Sequence, residues 1–152
     1  MDSEKKIETV KFQSSRFGEL EVPASAVFSI VNGIIGFPDF HRYTLLEYNP
    51  PFSWLHSVEN AELAFVVVNA AEFGEGYQFP LPIGDRDIDL QRDDDIAAVN
   101  LVSVRSDPSQ TTVNLKAPVV VNLRTMLGRQ MVLDDARFPV RMQLWAPPDS
   151  AK

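Results

Sequence analysis

Ala97-Ala98-Val99-Asn100-Leu101-Val102-Ser103-Val104 is the stretch from which the fold reads most directly. Val99, Leu101 and Ser103 alternate with Asn100, Val102 and Val104, so apolar side chains fall on both faces. Successive side chains on a strand point to opposite faces, and this pattern describes a strand covered on both sides. Short runs rich in Val, Ile, Phe and Thr extend outward from it at Ile7–Phe12, Leu20–Val22, Tyr43–Tyr48, Leu63–Asn69, Thr111–Leu115, Val119–Asn122, Gln130–Leu133 and Val140–Trp145. Val140, Met142 and Leu144 face one way and Arg141 and Gln143 the other, as on a half-buried strand. Eleven Pro and seven Gly punctuate the chain. Asn32-Gly33 and Gly36-Phe37-Pro38-Asp39 read as turns, Gly36 taking a conformation that a Cβ would disfavour. Pro118 marks the start or edge of a strand. Helical periodicity is confined to Asp85–Asp95 and Leu123–Leu127. Eight or more short strands at roughly ten-residue spacing predict a mainly β fold, a single compact β-barrel-like or sandwich domain of short antiparallel strands with little helix. Residues 1–146 read as that one domain and residues 147–152 as a frayed tail.

The chain has 152 residues, 45% hydrophobic and 23% charged. A chain of this length buries about two thirds of its surface, enough for a core without staples. There is no cysteine, which removes disulfides, thiolate zinc sites and cysteine nucleophiles. The first eleven residues alternate charges without an apolar h-region, and no apolar run is long enough to span a bilayer. A cytoplasmic location is the expectation. The net charge of −7 is uneven: −1 over residues 1–42, −9 over 43–95 and +3 over 96–152. The acidic middle would repel a phosphate backbone and attract a basic partner protein, so direct nucleic-acid binding is not expected.

Candidate chemistry is thin. His41 and His56 are the two histidines, and no Gly-x-Ser-x-Gly elbow accompanies either. Ser57 follows His56, but on a strand the two side chains face opposite ways. Asp85-Arg86-Asp87-Ile88-Asp89 opens like a calcium loop, yet Leu90 stands where Gly is needed and Ile96 where a bidentate Glu is needed. The alternatives are a solvated acidic loop or an electrostatic docking surface extended by Asp93, Asp94 and Asp95. The Gly74-x-Gly76 pair lacks the third glycine of a dinucleotide fingerprint. No enzyme, cofactor or metal site is expected.

Ordered motifs carry more information. Gly36-Phe37-Pro38-Asp39-Phe40 precedes an aromatic-rich strand and then Pro51-Phe52-Ser53-Trp54-Leu55-His56-Ser57. Leu63-Ala64-Phe65-Val66-Val67, Tyr77 and Val102-Ser103-Val104 come next, then Thr111 to Asn122 and Gly128-Arg129-Gln130. In this order, over roughly residues 28–145, the chain resembles the FliW family of bacterial flagellar assembly factors. It departs from the usual family pattern at His56, where Gln is common, and at Asn69-Ala70, where Asp-Pro is frequent.

The resemblance implies a monomeric, non-enzymatic cytoplasmic protein that binds newly made flagellin. It also implies binding to CsrA, an RNA-binding repressor of flagellin translation, allosterically and away from its RNA-binding surface. Secretion of flagellin would then free the protein to capture CsrA. On this reading the candidate partner-binding residues are Asp85, Asp87, Asp89, Asp93, Asp94, Asp95, Phe73, Tyr77 and His56, with no membrane partner. An apolar groove lined by aromatics such as Phe37, Phe40, Phe52, Trp54, Phe73 and Tyr77 would shield the flagellin segment.

Overall fold

The computed structural model describes residues 7–144. Strands β1 (Thr9–Ser14) and β2 (Gly18–Pro23) form a hairpin with Phe12 opposite Leu20. They are followed by β3 (Val27–Val31), β4 (Arg42–Glu47), β5 (Phe52–Ser57) and β6 (Ala64–Asn69). The remaining strands are β7 (Ile96–Ser103), β8 (Thr112–Val113), β9 (Val119–Asn122), β10 (Leu127–Gln130) and β11 (Met142–Gln143). Among the described residues helical structure is confined to three 3-10 segments, at Ala24–Ala26, Ala70–Gly76 and Pro108–Gln110.

Strand β7 is the branch point. Its first half, Ile96–Val99, pairs with β9, and its end, Val102–Ser103, pairs with β8, which in turn pairs with β11. The β7–β9 pairing closes the ring β7-β6-β5-β4-β3-β10-β9 into a seven-stranded barrel. Among the described residues every pairing is antiparallel except β3 with β10, which is parallel, so the expected antiparallel arrangement holds apart from that seam.

The two-sided pattern of β7 has a direct structural counterpart. Val99 joins Ile30, Tyr43, Leu55, Val67 and Val119 inside the barrel. Val102, on the opposite face, packs on a second cluster built from Val68, Tyr77, Val113, Leu115 and Phe138 outside the ring. The alternation ends at Ser103 and Val104, which are exposed. Burying both faces of this strand is what gives the chain two apolar cores.

Several boundaries differ from the sequence reading. Val27–Val31 and Phe52–Ser57 are strands that the list of apolar runs lacked. The run at 130–133 is displaced: the strand is Leu127–Gln130, while Met131 and Leu133 donate to the Pro118 and Lys116 carbonyls as irregular backbone. The earlier start is possible because residue 128 is glycine; a Cβ there would stand 2.8 Å from the Val120 carbonyl oxygen of the paired strand. Of Val140–Trp145 only Met142–Gln143 is strand, and Trp145, with the tail 147–152, lies outside the described residues.

Neither candidate helix exists. Residues 85–95 are turns, because Asp85 Oδ1 accepts from the Asp87 amide and Asp94 Oδ2 from the Gln91 amide, side-chain caps that compete with helix. Leu123–Leu127 is a tight turn into β10 with Met126 at φ 57°. Asn32-Gly33 is a turn with φ 66° and 68°, and a Cβ on Gly33 would lie 2.6 Å from the Phe37 carbonyl oxygen. Gly36 adopts φ 95° as its turn requires, and Pro118 immediately precedes β9.

Candidate partner-binding surface

The acidic segment is strapped to the barrel. Arg124 Nε donates to Asp94 Oδ1 at 2.7 Å, and Arg124 Nη2 to the Asp89 carbonyl at 2.6 Å and its carboxylate at 3.2 Å. Arg129 Nη2 donates to Asp87 Oδ2 at 2.7 Å. Its Nε lies 2.8 Å from Asp85 Oδ2, within ion-pair range but off the hydrogen-bonding line. Asn122 Nδ2 donates to the Ile88 and Asp89 carbonyls, and Ile88 and Leu90 are buried beneath the loop. Hydrogen bonds from Arg124 first, and from the Gln91 amide next, hold the Asp94 carboxyl down from its ordinary 3.8 to about 2. Asp94 is covered by these partners rather than by the core.

The segment therefore offers a partner less charge than its composition suggests. Residues 85–95 carry six carboxylates and two arginines, net −4; adding Arg124 and Arg129 leaves −2. Asp93 and Asp95 are the two of the six that make no ion pair among the described residues. The Asp95 carbonyl accepts from the Leu123 amide, beside an almost wholly apolar concavity of about 230 Å³ lined by Phe28, Leu45, Leu123 and Met126. Among the described residues no group of three or more His, Asp or Glu side chains is arranged to hold a metal ion.

Phe73 and Tyr77 belong to the second core. The Tyr77 hydroxyl donates to the Leu115 carbonyl at 2.6 Å and accepts from Asn100 Nδ2 at 2.8 Å. Its ring meets Phe138 edge-on at 4.9 Å and Phe73 at 5.7 Å. Burial raises its pKa, with the Asn100 bond acting the other way. Tyr77 is 6% exposed and Phe73 half-buried, so only Phe73 reaches solvent appreciably.

His56 is fully buried on the outer face of β5. Its Nδ1 lies 2.7 Å from the Ser57 carbonyl, which can only accept, so Nδ1 carries the proton. Nε2 then accepts from the Ser14 hydroxyl at 2.8 Å. The same oxygen accepts from the Arg16 and Phe17 amides, each at 3.1 Å. One hydroxyl thus ties the hairpin tip to the barrel wall. Buried, and oriented by a carbonyl rather than a carboxylate, the Ser14–His56 pair has no solvent access for hydrolytic chemistry.

What the clasp positions is exposed. Arg16 stacks over Trp54 at 4.6 Å, Phe17 meets it edge-on at 6.0 Å and Tyr48 lies 5.1 Å away. Beyond them the outer face of β5–β7 forms an open groove of mixed lining that becomes mainly apolar toward Phe52. One part, of about 420 Å³, is lined by Arg16, Tyr48, Trp54, Val66, Val102 and Val104. It adjoins a pocket of about 250 Å³ whose walls include Tyr48, Pro50, Phe52, Val66 and Val104. Tyr48 is 44% and Val104 60% exposed.

Phe52 and Trp54 are thus the groove aromatics legible in advance. Phe37 instead packs edge-on against Phe65, Phe40 on the barrel core, and Phe73 and Tyr77 elsewhere. Arg16, Tyr48 and Val104 were missed; the signal was Val104 continuing an alternating strand past its last covered position, and Tyr48 ending one just before Pro50-Pro51. Among the described residues no helix is long and apolar enough to cross a membrane.

Comparison with known proteins places this chain in a family. The profile of the FliW family, described as FliW protein, matches residues 11–144. A flagellar assembly factor FliW of Caldicellulosiruptor saccharolyticus is 38% identical over 136 residues, covering 88% of this chain and 89% of that protein. Its counterpart in Geobacter sulfurreducens is 35% identical over 130 residues, covering 84% and 82%. A solved structure described as the crystal structure of the flagellar assembly factor FliW superposes with a TM-score of 0.81 at 25% identity, over 91% of this chain and 99% of that one. With the barrel, the sequence profile and relatives matched over more than four fifths of their length in agreement, this chain belongs to the FliW family.

Proposed function

We propose that this protein is a cytoplasmic, non-enzymatic flagellar assembly factor that binds newly made flagellin and antagonises the repressor CsrA, coupling flagellin secretion to flagellin translation. Family membership supports the assembly role. The observation that carries the binding role is the groove over β5–β7, where Tyr48 and Val104 remain exposed between Trp54 and Phe52. Contiguous exposed apolar surface of this kind, with an aromatic anchor at its floor, is what a shielding partner needs. CsrA must be basic to hold RNA, and Asp93 and Asp95, which make no ion pair among the described residues, are the carboxylates that complement it.

Size-exclusion chromatography of the protein mixed separately with the host's flagellin and CsrA tests this reading. Co-elution with both supports the switch. Co-elution with flagellin alone supports a second reading, a flagellin chaperone without CsrA regulation, which the internal ion pairing of Asp85, Asp87, Asp89 and Asp94 favours. Co-elution with neither removes both.

A further inference from the structure

The groove ends in a cationic pocket. Arg105 lines the apolar pocket beside Tyr48, Pro50, Phe52 and Val66, and also a polar one of about 420 Å³ with Ser106, Gln110, Thr112 and Arg141. Neither arginine makes an ion pair among the described residues. Asp107, the one carboxylate lining this pocket, accepts instead from the Ser109 amide at 3.1 Å and its hydroxyl at 2.9 Å. The backbone here is held in place. The Arg105 amide donates to Thr111 Oγ1, Gln143 Nε2 donates to the Ser109 carbonyl, and Arg141 immediately precedes β11, which pairs with β8.

We propose that this end of the groove is a recognition site for an acidic, apolar-anchored segment of a partner polypeptide. An aliphatic or aromatic side chain enters the pocket between Tyr48, Phe52 and Pro108, and a neighbouring carboxylate is held by Arg105 and Arg141. Charge complementarity selects the occupant. On a chain of net charge −7, two unneutralised guanidiniums beside an apolar wall favour a carboxylate next to an apolar side chain and disfavour a basic segment. Arginine is suited to this task because its planar fork meets a carboxylate with two parallel bonds. The inference deepens the partner-binding reading of the groove and rests on it only for the identity of the natural partner.

The test is a titration of 15N-labelled protein, followed by amide chemical shifts, with three capped peptides. They are acetyl-Glu-Leu-Phe-Asp-amide, the basic acetyl-Lys-Leu-Phe-Lys-amide and the polar acetyl-Glu-Ser-Ser-Asp-amide. The first is expected to shift the amides of Val104, Arg105 and Thr112, and to bind at least about tenfold more tightly than either control. Arg105→Glu with Arg141→Glu abolishes that preference; the milder Arg105→Gln with Arg141→Gln is read if the reversal disturbs the spectrum. Equal binding of the basic peptide, no localised shifts, or an affinity indifferent to both arginine pairs overturns the proposal. So does a concentration-dependent dimer that covers the same amides without peptide. If flagellin still binds the double variant at full affinity and the peptide does not bind, the inference fails and the flagellin reading stands. Peptide binding without flagellin or CsrA binding has the opposite meaning.

Discussion

Replacing Ser14 by Ala removes one oxygen that serves three groups. The Arg16 and Phe17 amides lie at a surface turn, where water replaces the lost acceptor. His56 Nε2 has no such recourse: the ring is completely buried, and Ser14 is 6% exposed. The cost is therefore that of one buried unsatisfied acceptor, about 1–3 kcal/mol. For a domain of this size each kcal/mol lowers Tm by about 2–4 °C, so the expected fall is roughly 2–12 °C. The hairpin tip loosens with it, and Phe17 and Arg16 withdraw from Trp54. The assay is urea unfolding together with tryptophan emission in a Trp145→Phe background, which leaves Trp54 as the sole reporter. A destabilised protein with red-shifted Trp54 emission is predicted. An unchanged midpoint and unchanged emission would refute the argument that His56 acts through Ser14 to position one wall of the groove.

Three further outcomes follow from the same geometry. Asp94 has a folded pKa of about 2 against an ordinary 3.8, so its contribution to stability is fully present above about pH 4 and is lost as pH falls through 2; the stability gap between the wild type and Asp94→Asn should close over that window, and a constant gap from pH 7 to pH 2 would contradict the Arg124 clamp. Asp93→Lys with Asp95→Lys should leave stability within about 0.5 kcal/mol while lowering the CsrA association rate at low salt, and an unchanged stopped-flow rate removes these residues from that site. Gly128→Ala, with its Cβ 2.8 Å from the Val120 carbonyl, should cost about 1–3 kcal/mol in denaturant unfolding; a neutral result would mean that β9 and β10 pack less closely than described.

The alternation of residues 97–104 was enough to read a β domain with a doubly covered central strand, because period-two burial is written into consecutive residues. Barrel closure was not legible in this way. It depends on β7 pairing with β9 over Ile96–Val99 and with β8 at its end, and on the parallel seam between β3 and β10, all contacts between residues distant in sequence. The acidic run looked like a docking face because composition counts carboxylates without their partners; Arg124 and Arg129 lie thirty or more residues away and pair with four of the six, offsetting two of the charges. Tyr77 drew attention as a groove aromatic and His56 as a departure from the family pattern, and the structure satisfies the polar atoms of both internally. Family membership was legible from ordered motifs alone, since Pro51–Ser57 and Thr111–Asn122 retain their spacing whatever each residue contacts.

The central claim is that flagellin is bound at the outer groove of β5–β7. Val104 is 60% exposed on its rim, so Val104→Asp places a charge in the groove without touching either core. Isothermal titration calorimetry of this variant and the wild type against the host's flagellin is the most direct measurement. The account predicts wild-type binding and an affinity at least about tenfold weaker in the variant, with the unfolding midpoint unchanged. Equal affinities would contradict it.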